Sequence, residues 1–161
     1  MKWFIRLLIL LGVLILSMFI VGSTLPQEHT AITTQTFSSS REEVWTVLAD
    51  FNRWPSWRSN LKEIRDGSNS FSEVSTDDEI IEYRIDDFSP PERLITRIIT
   101  PDLPFGGTWT YELTPVDGGC SLAITENGEV YNPMFRFLSK YAFGHTATMD
   151  LYLQDLKKKI Q

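Results

Sequence analysis

Residues 38–57 read SSSREEVWTVLADFNRWPSW, and the spacing within them decides how the rest of the chain is read. Ser40 and Glu43 have the separation of a capping box, which predicts a helix over Arg41–Ala49. Val44, Val47, Leu48 and Phe51 fall on one face of it. Asn52–Leu61 reads as a second short helix, broken near Pro55, with Trp54 and Trp57 one turn apart. Those two indoles are expected to pack the short helix onto a sheet.

Working outward, the stretch before the helices, Thr30–Phe37 (TAITTQTF), is rich in β-branched residues and reads as a first strand. Gly22–His29 (GSTLPQEH) reads as a polar linker. After the helices the pattern changes to period two. Leu61–Arg65, Phe71–Ser75, Glu79–Phe88, Arg93–Thr100, Thr108–Thr114 and Cys120–Tyr131 are expected strands, joined by turns such as Asp66–Asn69 and Val116–Gly119. Gly128 suggests a bulge in the last of them. From Pro133 to Gln161 apolar residues recur in three- and four-residue steps, which predicts one long amphipathic helix. A strand, two short helices, about six or seven antiparallel strands in all and a long C-terminal helix make an α+β fold. Its packing solution is a curved sheet wrapped around the helix.

The composition splits in two. Residues 1–26 hold Lys2 and Arg6 and no acid, leaving 13 basic and 21 acidic residues in 27–161. Leu7–Val21 (LLILLGVLILSMFIV) carries no charge, and the uncharged stretch runs on to Gln27. Twenty-one uncharged positions at about 1.5 Å per residue span a hydrocarbon core of roughly 30 Å. Residues 1–26 therefore read as a transmembrane anchor or a signal segment, with residues 7–26 in the membrane, and 27–161 as the folded domain. Lys2 and Arg6 would keep the N-terminus cytoplasmic and place the domain outside the cytoplasm. A cleaved signal would leave it periplasmic or secreted.

The acidic domain argues against nucleic-acid binding, which requires phosphate neutralisation. A single cysteine, Cys120, rules out an internal disulfide. With two histidines, His29 and His145, neither a metal site nor a cofactor is indicated. Eight Phe, four Trp and five Tyr in residues 27–161 suit a domain that encloses apolar surface.

Two segments carry a family resemblance. Ser39–Trp45 running into Leu48–Trp57 (LADFNRWPSW), and Gly107–Pro115 (GTWTYELTP) with Gly118–Leu122 (GGCSL), resemble the START-like or SRPBCC superfamily, the helix-grip proteins of the polyketide cyclase/dehydrase and lipid-transport type. The resemblance spans about Thr30 to Ile160. It implies a ligand-binding domain, with a hydrophobic small molecule or lipid as partner, and some members are enzymes. Cys120 stands where Thr is usual.

Tyr83, Trp109, Tyr111, Phe105, Phe135, Tyr141, His145 and Met149 are the expected ligand-binding wall of a cavity between sheet and helix. A filled core gives the same apolar pattern. Pro101–Gly107 reads as a gate loop with Phe105 at the mouth, or as a plain connection. Glu126 and His145 are the candidates for catalysis. Glu126 shares a strand face with Leu122 and Ile124, so it points inward if that face is concave, whereas a bulge at Gly128 turns it to the rim. His145 on the apolar helix stripe reads more simply as a packed residue than as a base. Gly144 beside it fits either a close approach of ligand or a tight helix crossing.

Overall fold

The computed structural model describes residues 2–161. A long helix α1 (Lys2–Thr24) leads into strand β1 (Glu28–Phe37). Helix α2 (Arg41–Ala49) follows, then a 3-10 turn (Phe51–Ser56). Six strands come next: β2 (Leu61–Asp66), β3 (Ser70–Ser75), β4 (Ile80–Ser89), β5 (Arg93–Ile98), β6 (Phe105–Val116) and β7 (Gly119–Val130). Helix α3 (Pro133–Leu138), a π-helical turn (Ser139–Phe143) and helix α4 (Ala147–Ile160) close the chain.

The seven strands form one antiparallel sheet in the order β1-β7-β6-β5-β4-β3-β2. Its inner face meets α2, the 3-10 turn and α4 in a core that includes Leu48, Trp54, Leu122, Ile124, Met149 and Leu156. This is the helix-grip arrangement.

The capping box forms: Ser40 Oγ accepts from the Glu43 backbone, and the Glu43 carboxylate accepts from the Ser40 backbone at 2.8 Å. The turn after α2 ends at Ser56 rather than continuing to Leu61, with Pro55 inside it. Trp54 nevertheless goes deep, with 1% of its surface exposed, and donates from Nε1 to Leu48 O at 3.0 Å.

Three expectations are corrected. Gly128 makes no bulge: the β6–β7 and β1–β7 registers run unbroken through it. Phe105–Gly107 is not a gate loop, since all three residues are in β6, with Phe105 opposite Val130. The C-terminal helix is not continuous. Gly144 adopts φ 77°, a left-handed value that favours glycine, and it splits the periodic stripe between α3 and α4. The apolar steps cross this break, which is why the sequence reads as one helix.

Helix α4 is tied to β1 near its N-terminus and, at mid-helix, to the turn that precedes β2. Thr33 Oγ1 donates to Asp150 at 2.7 Å, and the buried Asp155 accepts from the Ser59 amide and hydroxyl at 2.8 and 2.6 Å. Burial alone would raise the Asp155 pKa, but the bonds from Ser59 and Lys158 hold it below the usual value.

Candidate functional site: a cavity between the sheet and the C-terminal helices

A cavity of about 420 Å³ lies between the inner face of the sheet and the α3–α4 segment. Strand pairing makes its wall. Trp109 on β6 stands opposite Thr96 on β5 and Glu126 on β7, and Tyr83 on β4 stands opposite Phe71 on β3. Period-two alternation puts these side chains on one face.

One end of the cavity is deeply buried and holds an ion pair. Arg58, 7% exposed, donates from Nη1 and Nη2 to the two carboxylate oxygens of Glu73 at 2.5 and 3.1 Å. Its guanidinium also lies 4.9 Å from the Trp54 ring centre and 5.2 Å from that of Tyr152. Burial by itself lowers the Arg58 pKa, yet the adjacent Glu73 carboxylate makes the net shift upward. Tyr83, Tyr111 and Tyr152 surround the pair. Burial pushes all three hydroxyls up, so they stay protonated donors. Among the described residues, Arg58 Nε and the Tyr152 hydroxyl are buried without a hydrogen-bond partner.

The other end is half-exposed and carries the two histidines. Glu126 accepts from Trp109 Nε1 at 2.6 Å, and its second oxygen lies 2.9 Å from His29 Nε2. An ionised carboxylate only accepts, so the His29 ring donates. The His145 ring stacks on His29 with centres 3.9 Å apart. Burial first, and His29 second, lower the His145 pKa. Gly128 faces His29 across the strand pair, and a Cβ there would fall on the imidazole and the Glu126 carboxylate. The glycine read as a bulge is therefore the space into which His29 fits. Among the described residues, no group of three or more His, Cys, Asp and Glu side chains is arranged to hold a metal ion.

Tyr83, Phe105, Trp109, Tyr111, Phe135 and His145 line the cavity, as does Glu126. Tyr141 and Met149, expected in its wall, do not. Tyr141 sits on the π-helical turn with 59% of its surface exposed, because the break at Gly144 redirects the stripe. Met149 faces the filled part of the core and is fully buried. Trp54, expected only to pack, also lines the cavity.

Three lining residues escape the sequence reading. His29 reads as part of the linker, but β1 begins at Glu28 and puts His29 two residues from Ala31 on the same face. Glu73 shares the period-two face of Phe71, and an acid at an inward position was the available signal. Arg58 follows the 3-10 turn in a polar stretch that gives no sign of burial.

Residues 29–161 match the model of the family described as polyketide cyclase/dehydrase and lipid transport. No curated protein matches the sequence. Among solved structures, the di-domain ARO/CYC StfQ of the steffimycin biosynthetic pathway aligns with a TM-score of 0.67 and 14% identity. That match covers 82% of this chain but 50% of StfQ, so this chain spans about half of the di-domain's length. A conserved protein from Geobacillus kaustophilus aligns with a TM-score of 0.67 and 17% identity, covering 82% of this chain and 95% of that one. A START superfamily protein from Mycobacterium smegmatis gives a TM-score of 0.64 and 15% identity over 82% and 97% of the two chains. At these identities the likeness is one of fold.

Proposed function

Because the chain belongs to the polyketide cyclase/dehydrase and lipid-transport family, we propose that it binds one hydrophobic small molecule or lipid in this cavity while tethered to a membrane by α1. The observation that carries the reading is the cavity itself: apolar aromatic walls with a few convergent polar groups at either end. Burial of a ligand there contributes about 25 cal/mol per Å² of apolar surface. The tyrosine hydroxyls around Arg58 orient a polar group. At about 420 Å³ the cavity is near the lower end of the roughly 300–1,000 Å³ typical of small-molecule sites. That volume suits a single-chain or compact polycyclic ligand.

The tether is α1, a 23-residue helix with no charged residue after Arg6 and with its apolar side chains from Leu7 to Leu16 exposed. Lys2 and Arg6 precede its apolar run, and this charge bias supports an N-terminus in the cytoplasm with the sheet domain on the far side. Tethering raises the effective concentration of membrane-derived ligands at the cavity.

Full-length protein in detergent, analysed by native mass spectrometry, should carry one bound apolar or amphiphilic molecule per chain and exchange it for cis-parinaric acid. A bare chain that also fails to take up parinaric acid removes the reading.

A second reading is favoured by the Trp109–Glu126–His29 chain. A carboxylate held by two donors orients rather than abstracts, leaving His29 Nδ1 as the acceptor for a proton from a carbon acid in the cavity. Nitrobenzisoxazole tests it: a base takes the ring proton, the C–H electrons form the nitrile, and the N–O bond breaks to a coloured phenolate. The wild type should open this ring above buffer rate, and Glu126→Gln should lose roughly tenfold or more of that rate. No rate above buffer removes the reading.

A further inference from the structure

The end of α1 is fixed against α3 at backbone distance. Gly22 is buried there, and a Cβ on it would collide with the Pro133 carbonyl. Arg136 donates to Leu25 O at 3.0 Å and to Tyr131 O at 3.1 Å. Only Leu25, Pro26 and Gln27 separate α1 from β1. Three residues reach at most about 10 Å, so β1 starts close to where the apolar helix stops.

The surface beside this junction is unlike the rest of the domain. Of the five large aromatics exposed in residues 27–161, four lie in Tyr131–Phe143: Tyr131, Phe135, Tyr141 and Phe143, the last with 67% of its surface exposed. From Tyr131 to Met149 the chain has no acid but contains Arg136 and Lys140, in a domain that is otherwise strongly acidic. The exposed aromatics and the exposed Lys140 suit the headgroup layer of an anionic bilayer, while Arg136 is held by the two backbone carbonyls.

The same segment walls the cavity. Phe135, Ser139, Gly144 and His145 line it. A cleft of about 230 Å³ runs between α3 and Leu25–His29, and His29, Val130 and His145 line both spaces. The stacked His29–His145 pair stands between them. The segment includes a π-helical turn, a form rare outside single turns, followed by the Gly144 break. It is thus built to rearrange more readily than a continuous helix.

We propose that Tyr131–His145 is a membrane-seated portal. Its aromatics lie in the headgroup layer of the bilayer that α1 crosses, and a single-chain anionic amphiphile of that bilayer passes between α3 and Leu25–His29 into the cavity. This rests on the readings of α1 as a membrane span and of the cavity as a binding site, and the test separates the three.

Full-length protein is placed in vesicles of phosphatidylcholine and phosphatidylglycerol, with a bimane label on Leu14→Cys, Phe143→Cys or Val116→Cys. Cys120 is fully buried and does not compete for label. Val116 is exposed at the far end of β6 from Phe105. Lipids carrying a quencher deep in the acyl chain should dim the label at position 14, lipids carrying it high on the chain should dim that at 143, and neither should dim that at 116. If position 143 behaves like 116 while 14 is quenched, the portal is overturned and the span stands. If 14 is not quenched, the span reading fails and the portal with it. Uptake of parinaric acid gives the second measurement. The Tyr141→Ser/Phe143→Ser variant should load from vesicles roughly tenfold more slowly, with loading from water unchanged. Equal rates from vesicles overturn the portal. A wild type that loads from neither source overturns the binding reading instead.

Discussion

Replacing Glu73 with alanine should destabilise the protein by about 3–5 kcal/mol, which lowers its thermal midpoint by roughly 6–20 °C. The effect comes from Arg58 rather than from the lost carboxylate. The guanidinium is 7% exposed, and Glu73 accepts two hydrogen bonds from it. Without Glu73 a full positive charge stays buried beside Trp54 and Tyr152, whose ring faces attract it but offer no acceptor. The paired change Arg58→Met/Glu73→Leu should recover most of the loss, because an apolar pair of similar volume carries no desolvation cost. Thermal unfolding of the three full-length variants in one detergent reads both numbers. A Glu73→Ala loss below about 1 kcal/mol would mean that the guanidinium is solvated after all, a value typical of surface pairs.

That ion pair also marks how far the amino-acid sequence speaks. Period-two alternation and the Ser40–Glu43 cap are local signals, and local signals decide the strands and α2 here. The inward set Tyr83, Trp109 and Tyr111 follows from the same alternation. What the alternation lacks is any account of which strands become neighbours. His29 meets Glu126 only because β1, first in sequence, pairs with β7, last in sequence. Arg58 meets Glu73 because the chain turns back through β2 and β3. The C-terminal helix shows the opposite failure. Its three- and four-residue steps are real, but a stripe of apolar residues does not register the φ of one glycine, and Gly144 sets Tyr141 outside the cavity. Gly128 was legible as a special position; its reason, room for an imidazole across a strand pair, required the register.

Filling the cavity should separate binding from stability. Thr96 lies on β5 opposite Trp109, is 3% exposed and lines the cavity wall. In a well-packed core Thr96→Trp would cost about 1–3 kcal/mol through overpacking. Here the indole has a cavity of about 420 Å³ to enter, so that penalty is offset by new apolar contact. The thermal midpoint should hold or rise, as cavity-filling changes commonly add about 0.5–2 kcal/mol. Parinaric acid should bind at least roughly a hundredfold more weakly. A hundredfold is about 2.8 kcal/mol, equivalent to denying the ligand about 110 Å² of apolar contact at 25 cal/mol per Å². Fluorescence titration beside a melting curve reads both quantities on one sample. A variant that melts higher and binds as before would put the ligand somewhere other than this cavity. One that melts several degrees lower would show that the side chains around Thr96 already fill the space. The two results point to different errors, and a fold whose walls exist to enclose a ligand should show neither.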